Sequence, residues 1–250
     1  MNAIKFKSSK GLIDVMPQKL YKEITITGVK ENEELFKSVD TIKAIMNIEP
    51  LKNPRKKYCQ SSHNSKPTQY PKVIWVNNEL KRVDGKTFRK EEWICKYAKF
   101  ENPNKNKIGM IVDYQVPIKV NGLSKEEKQI NEGLGKIDLL SHKGKTLWLL
   151  EYKVEDNKTE HPLRAILEIY TYWKLLEKNI GKPLMDEYNK EVPKGLPKVE
   201  KLDKAIVLYK GSKLHDRLEK CQVSKDLMKK LDVKCFFVEK ADSDLDFNVI

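Results

Sequence analysis

Residues 146–154 (TLWLLEYKV) constrain the fold more than any other part of the chain. The segment has the length of one strand and is rich in large apolar residues, so it predicts a strand. Side chains alternate between the two faces of a strand, so Glu151 and Lys153 point the same way as Leu147 and Leu149. Charged groups in an apolar strand are costly to bury unless they are paired or bound to a metal. The segment therefore predicts a sheet with a charged site on one face.

From residue 88 onward, helical and strand-like patterns alternate in a regular order. The spacing of the apolar residues distinguishes helices from strands, and Gly, Pro and Asn mark the turns. The predicted elements are a helix at 88–98, strands at 108–120, 136–141 and 146–154, a helix at 162–179, a Pro/Lys-rich connection at 182–203, a strand at 205–209, a helix at 214–231 broken near Val223, a strand at 233–238 and an acidic tail at 239–250. This order predicts an α/β fold with helices flanking a mixed sheet.

Residues 1–87 are predicted to form an α+β extension of a domain that spans residues 88–250. A strand is expected at Glu23–Val29, where β-branched residues alternate. A helix is expected at Glu33–Asn47, with Asn32 as its N-cap. Further expected features are a basic linker at 49–72 and a hairpin formed by 73–76 and 80–83.

Positive charge is concentrated in one part of the chain. The net charge is +13, and residues 51–107 alone hold 15 Lys and Arg against 5 Asp and Glu. A localised basic field attracts polyanions and releases their counterions on binding, so it fits a nucleic-acid partner. General solubility explains the same charge, and the composition does not decide between the two interpretations. The basic residues expected to contact nucleic acid are Arg55, Lys56, Lys57, Arg82 and Lys136.

Cysteine usage and hydropathy predict a cytoplasmic protein. The four cysteines are widely spaced and form no C-x-x-C pair, which is typical of reduced thiols. The first residues contain no apolar stretch of signal-peptide length, and no segment approaches the roughly 20 apolar residues of a membrane span. A membrane partner is therefore not expected.

Asp138 is expected to meet Glu151 across a β-hairpin. The two residues lie on neighbouring predicted strands, and the turn at Gly144 falls midway between them. A divalent cation such as Mg²⁺, which commonly takes one or two carboxylates with water and phosphate, would remove the repulsion between two adjacent acids. Lys153 would then orient or deprotonate the attacking water, or stabilise the transition state. The competing interpretation is a partly exposed Asp–Lys–Glu ion-pair cluster at a sheet edge.

The string GKIDLL, a loop, LWLLEYK and a following helix resemble the PD-(D/E)XK nuclease superfamily. That resemblance implies a restriction endonuclease-like core with the order α-β-β-β-α-β, which the predicted elements at 88–209 repeat. It also implies that Asp138 and Glu151 hold Mg²⁺ and that Lys153 serves the nucleophile. A further metal-linked acid on the first core helix would be Glu91 or Glu92, and the sequence does not choose between them.

The helix after this motif carries three polar residues on one stripe. Arg164, Glu168 and Tyr172 follow one another at intervals of four residues. The RecB-type branch of the superfamily has a Gln-x-x-x-Tyr motif here, and Glu168-Ile-Tyr-Thr-Tyr172 resembles it with Glu in place of Gln. These residues are expected to support the site, and a helix-surface ion pair between Arg164 and Glu168 is the alternative.

Three other polar residues are weaker candidates. Asp113 is expected to be a surface carboxylate, opposite the core stripe of its strand. His142 and His161 flank the expected site, and each is interpreted as a turn or helix-terminus residue.

The sequence is compatible with three functions. The first is a Mg²⁺-dependent nuclease, with Mn²⁺ as a substitute metal, DNA favoured over RNA, and a homodimer as an untested expectation. The second is a nuclease-fold module that binds nucleic acid without cleaving it. The third is an assembly subunit whose charge serves only solubility. Cleavage that stops in EDTA would favour the first function. Salt-dependent binding without cleavage would favour the second, and a binding response that does not change with salt would favour the third.

Overall fold

A computed structural model describes most of the chain. The described residues are 3–8, 11–50, 73–76, 79–87, 89–101, 108–118, 135–153, 160–177, 181–239 and 248–249. Their strands are β1 (Ile4–Ser8), β2 (Gly11–Val15), β3 (Val73–Val76), β4 (Glu79–Arg82), β5 (Met110–Pro117), β6 (Lys136–Lys143), β7 (Thr146–Lys153), β8 (Lys201–Tyr209), β9 (Lys234–Glu239) and β10 (Asn248–Val249). Their helices are a 3₁₀ helix (Pro17–Glu23), α1 (Ile26–Glu31), α2 (Glu33–Lys37), α3 (Val39–Met46), α4 (Lys90–Glu101), α5 (Pro162–Glu177), α6 (Gly181–Lys190), α7 (Lys213–Lys220) and α8 (Gln222–Leu231).

The main sheet is mixed, with the spatial order β10-β9-β8-β7-β6-β5 in the described part of the chain. Strands β5, β6 and β7 pair antiparallel, β7 pairs parallel with β8, and β8 pairs parallel with β9. The predicted α/β architecture of a mixed sheet flanked by helices is therefore confirmed. Strand β7 lies between β6 and β8, so the segment with the charged residues is in the interior of the sheet.

Two apolar layers cover the faces of the main sheet. Leu147 and Leu149 of β7 belong to the layer that includes the apolar side chains of α5. Leu150 and Tyr152 belong to the opposite layer, which includes the apolar side chains of α4. This division confirms the predicted alternation along β7, and it places Glu151 on the α5 face.

The N-terminal extension packs against α5 through its 3₁₀ helix. The ring of Tyr21 lies 5.9 Å from the ring of Tyr172, in an edge-to-face contact. Strands β1 and β2 form an antiparallel hairpin that the sequence patterns did not predict. Phe6 of this hairpin lies against Gly28, where a Cβ atom would come within 3.0 Å of the ring. Gly28 therefore allows α1 to approach the hairpin closely.

The strand predicted at Glu23–Val29 is wrong, because this segment contains the end of the 3₁₀ helix and most of α1. Thr25 is the N-cap of α1, and its Oγ1 accepts the backbone N–H of Gly28 at 3.0 Å. A threonine cap satisfies one of the unpaired N–H groups at a helix start, which stabilises the helix. Capping and packing therefore outweigh the alternating β-branched residues.

The helix predicted at Glu33–Asn47 is divided into α2 and α3, because Ser38 between them has an extended backbone. Asn32 precedes α2, but its side chain makes no capping hydrogen bond. Its Nδ2 donates to the Lys7 carbonyl at 2.8 Å, and its Oδ1 accepts the Lys7 N–H at 3.0 Å. The Asn32 side chain therefore fastens the helices to β1, although it forms no capping hydrogen bond at the start of α2.

Other predicted elements are found with changed boundaries. The 182–203 connection contains α6, and the helix at 214–231 breaks at Cys221 between α7 and α8. The predicted hairpin is formed by β3 and β4. The linker at 49–72 and the acidic tail lie largely outside the described residues. Among the described helices, none has the length and hydropathy needed to span a bilayer.

Candidate active site

The β6–β7 hairpin brings Asp138 next to Glu151. Its register runs from Lys143–Thr146 at the turn to the pair Leu139–Leu150, where the ladder ends. Asp138 is the next residue on β6, and its Oδ2 accepts the backbone N–H of Tyr152 at 3.0 Å. A carboxylate therefore takes the place of the main-chain acceptor at this point of the sheet, beside Glu151.

Lys153 is surrounded by acids that are buried or largely buried. Its Nζ lies 2.7 Å from Glu151 Oε1, 3.1 Å from Glu160 Oε1 and 3.5 Å from Glu168 Oε2. We call Asp138 together with these four residues the Lys153 cluster. The side chain of Lys153 is only 7% exposed, so its charge is balanced by the protein and not by solvent. The competing interpretation is an ion-pair cluster at a partly exposed sheet edge. The structure shows ion pairs around Lys153, but the lysine is buried and β7 is an interior strand, so the expected exposure and edge position are wrong.

Glu151 has one oxygen that the described residues leave without a hydrogen-bond partner. Its Oε1 contacts Lys153, whereas its Oε2 is buried and unpaired. Burial raises the pKa of Glu151 well above its usual range, and the negative charges of Asp138 and Glu168 raise it further. An unpaired buried carboxylate oxygen is energetically costly, so Glu151 is a group that a cation would stabilise.

Asp138 is held by hydrogen bonds to both oxygens. Gln115 Nε2 donates to Oδ1 at 2.8 Å, opposite the bond from Tyr152 to Oδ2. Burial raises the pKa of Asp138 to about 7, against the opposing effect of Lys153. Glu91 and Glu168 add to the increase. The carboxyl group therefore has a fixed orientation but an unfavourable electrostatic environment for its charge.

The lysine keeps its proton despite its burial. Burial alone would lower the pKa of Lys153, but Glu151, Glu168, Glu160 and Asp138 together outweigh it and raise the pKa well above the usual range. An opposite charge at short distance favours the charged form of an amine. Lys153 is therefore an ammonium group at neutral pH.

Of the three predicted supporting residues on helix α5, Glu168 belongs to the Lys153 cluster and Tyr172 contacts it through Glu168. Tyr172 Oη donates to Glu168 Oε1 at 2.7 Å, so Glu168 accepts from the tyrosine and pairs with Lys153. The suggested ion pair between Arg164 and Glu168 is wrong. Arg164 Nε lies 3.2 Å from Glu160 Oε1, one turn earlier. Arg164 therefore borders the Lys153 cluster through Glu160.

The two acids of α4 have different surroundings. The pKa of Glu91 is raised by burial and lowered by Lys153, with Glu160 and Glu168 raising it again. Glu92 Oε2 instead lies 3.6 Å from Arg89 Nη1. Of the two acids, Glu91 is the one whose charge the Lys153 cluster perturbs.

Two of the basic residues predicted to contact nucleic acid, Arg82 and Lys136, lie among the described residues. Lys136 is exposed at the start of β6, two residues before Asp138. Arg82 is paired with Asp84, with Nε donating to Oδ1 at 2.8 Å. The other predicted contacts, Arg55, Lys56 and Lys57, lie outside the described residues.

The weaker candidates have structural roles. The prediction that Asp113 is a surface carboxylate is wrong. A bulge between Ile111 and Asp113 turns this side chain inward, where Oδ1 lies 3.2 Å from Lys99 Nζ. His161 is confirmed as a helix-terminus residue, because its Nδ1 accepts the N–H of Leu163 at 3.2 Å. His142 does not lie in a turn, contrary to the prediction. It is a buried residue of β6, with its Nδ1 2.7 Å from the Tyr188 hydroxyl and its Nε2 2.6 Å from the Gly144 carbonyl.

Three residues near the site were not predicted from the sequence. Gln115 contacts Asp138, Glu160 contacts Lys153, and Tyr21 lies with its hydroxyl 3.5 Å from that of Tyr172. Glu160 lies two residues before the first residue of the helix that carries Glu168, and this proximity is the sequence signal that could have identified it. Tyr21 comes from the N-terminal extension, and no local pattern links it to the cluster.

The donor set fits a hard cation that keeps part of its hydration. In the described ranges, no three His, Cys, Asp or Glu side chains are grouped so as to hold a metal by themselves. Mg²⁺ does not need three, because it usually binds one or two carboxylates and retains several waters. Asp138 and Glu151 supply two carboxylates, and the unpaired Glu151 Oε2 is an available donor. The site therefore suits Mg²⁺ better than a metal that needs a complete protein cage.

Comparisons of the chain with protein-family models, with curated proteins and with solved structures found no match. Known proteins therefore assign neither a family nor an activity to this chain.

Proposed function

We propose that this chain is a Mg²⁺-dependent nuclease with a restriction endonuclease-like core, in which Asp138, Glu151 and Lys153 form the active site. The observation that carries the proposal is the convergence of these three side chains in one buried group, with Glu151 Oε2 unpaired. Buried charges are costly unless they are paired or bound to a ligand, and groups with strongly perturbed pKa values are concentrated at functional sites. DNA is the favoured substrate and RNA the alternative.

The order of the elements supports the fold assignment within this proposal. Helix α4, the antiparallel strands β5, β6 and β7, helix α5 and the parallel strand β8 occur in this order along the chain, with α6 as an additional helix between α5 and β8. This is the α-β-β-β-α-β order of the PD-(D/E)XK core. The motif residues lie on β6 and β7, the second and third strands of that order.

Asp138 and Glu151 are the residues that would hold the metal. When bound, Mg²⁺ supplies Lewis-acid activation of a water and offsets the negative charge that grows at phosphorus. Hydrogen bonds from Gln115 and Tyr152 fix the Asp138 carboxylate before any ligand arrives. Preorganisation of this kind avoids rearranging the ligand group during the reaction.

Lys153 acts in this proposal as a positive charge and hydrogen-bond donor. Three carboxylates within 3.5 Å of its Nζ keep it protonated, so it is a poor general base. An ammonium group orients the attacking water and stabilises the anionic transition state. Glu168 and Glu160 hold this amine in place, and Tyr172 fixes Glu168 in turn.

Cleavage assays with matched variants test the proposal. The full chain is incubated with supercoiled plasmid, linear duplex, single-stranded DNA and RNA, in Mg²⁺, in Mn²⁺ and in EDTA. We expect cleavage of DNA with either metal, none in EDTA, and at least a ~100-fold lower rate for Glu151→Gln. Glu200→Gln is the control, because Glu200 pairs with Lys145 at 2.8 Å but is 64% exposed.

The outcomes separate the three functions. Equal cleavage by Glu151→Gln and wild type, or full activity in EDTA, would contradict the proposed site. Binding of DNA that weakens with salt, without cleavage in either metal, would instead favour a binding module. Absence of both binding and cleavage would favour an assembly subunit.

A further inference from the structure

We propose that Gln115 is a positioning residue that fixes the metal-binding carboxylate of Asp138, an inference that rests on the proposed function. The contact is direct, because Gln115 Nε2 donates to Asp138 Oδ1 at 2.8 Å. Asp138 is buried, so solvent competes little with this bond. The amide therefore controls the direction in which the carboxylate presents its remaining lone pairs.

The sheet register places Gln115 opposite Asp138. Strands β5 and β6 pair at Tyr114–Leu139 and at Val116–Ile137, on either side of this position. The first pair belongs to the apolar layer of α4, whereas the second belongs to the layer of α5. On both strands, the apolar side chains before and after this position therefore enter opposite layers. The hydrogen bond between the Gln115 and Asp138 side chains joins the strands there.

The backbone of Gln115 has an unusual conformation for this purpose. Its φ is +50°, in the left-handed region, where glutamine is disfavoured and glycine or asparagine is normal. Apart from Asp232 at a helix end, no other non-glycine residue among the described ones has a positive φ. Such conformations cost free energy and recur at functional sites, where the geometry they produce is needed.

Both oxygens of Asp138 are consequently engaged by neutral donors. Gln115 binds one and the Tyr152 N–H binds the other, and neither donor neutralises the charge. A carboxylate has about four lone-pair sites, so each oxygen can still accept a metal. Removing a hydrogen-bond donor that orients a metal-binding side chain typically weakens metal affinity by about 10–100-fold.

Two substitutions distinguish the effect of losing the hydrogen bond from the effect of relieving the backbone conformation. Gln115→Met keeps the length of the side chain and the unfavourable φ but removes the donor. Gln115→Gly removes the donor and also relieves the φ. Asp232→Gly is the matched control, because Asp232 has a φ of +49° at the end of α8, away from Lys153. Mn²⁺ binding is measured by calorimetry without nucleic acid, and the thermal midpoint is measured in EDTA.

We expect both Gln115 variants to bind Mn²⁺ about 10–100-fold more weakly than wild type, although Gln115→Gly unfolds at a higher temperature than Gln115→Met. In cleavage assays kcat falls while KM for the nucleic acid is unchanged. Asp232→Gly binds Mn²⁺ like wild type. Wild-type Mn²⁺ affinity in Gln115→Met would overturn the inference alone. Absence of Mn²⁺ binding by the wild type would overturn the proposed function and this inference together.

Discussion

Replacing Lys153 by Met is expected to destabilise the protein strongly. Three carboxylates lie within 3.5 Å of the Lys153 Nζ, and its side chain is 7% exposed. Removing one partner from a buried ion pair costs about 3–5 kcal/mol, because the remaining charges are left uncompensated. For a chain of this size that loss lowers the thermal midpoint by roughly 10 °C. Protonation of the acids relieves their repulsion, so the loss is larger at pH 8 than at pH 5.

Urea unfolding in EDTA measures this loss against a matched control. Lys145→Met removes an ion pair of 2.8 Å with Glu200 in which both side chains are exposed. Exposed pairs contribute at most about 1 kcal/mol, so this variant should unfold almost like wild type. If Lys153→Met and Lys145→Met lost the same free energy of unfolding, the argument from buried charge would be refuted.

Three further changes test other parts of the structure. Burial lowers the pKa of His161 to about 4. The neutral imidazole therefore makes its full contribution to the free energy of unfolding above pH 6.5, and about 3 kcal/mol of it is lost as the pH falls to 4. Urea unfolding at a series of pH values should show this loss in wild type but not in His161→Asn. Tyr172→Phe, which removes a hydrogen bond of 2.7 Å to an acid, should cost about 1.5–3 kcal/mol in urea unfolding, and an unchanged free energy of unfolding would contradict this. Gly135→Ala should lower the thermal midpoint more than Gly144→Ala. A Cβ at Gly135 (φ +99°) would lie 2.2 Å from the Tyr172 hydroxyl, whereas a Cβ at Gly144 would meet no atom within 4 Å, so equal midpoints would contradict this.

The core of the site could be predicted because it follows from local rules. Alternation along β7 places Glu151 and Lys153 on one face, and a tight turn at Gly144 fixes the register that brings Asp138 alongside. Glu168 and Tyr172 follow from the helical period in the same way. All these positions depend on spacings within one hairpin or one helix.

The remaining parts depend on long-range packing or on departures from regular geometry. The positive φ of Gln115 and the bulge before Asp113 change which way the side chains of β5 point, and a two-residue period cannot indicate this. Tyr21 reaches the site through contacts between residues 151 positions apart in the sequence. The segment at 23–29 alternates like a strand, but the cap at Thr25 and packing on β1 make it helical.

A crystal structure of the full chain soaked with Mn²⁺ tests the central claim most directly. We expect an anomalous difference peak between the carboxylates of Asp138 and Glu151, with Glu151 Oε2 among the ligands and Lys153 close by. Glu151→Gln crystals soaked in the same way should show a weaker peak or none. A wild-type structure with no peak at this position, or with the ion bound elsewhere, would contradict the assignment of these residues as the metal-binding active site.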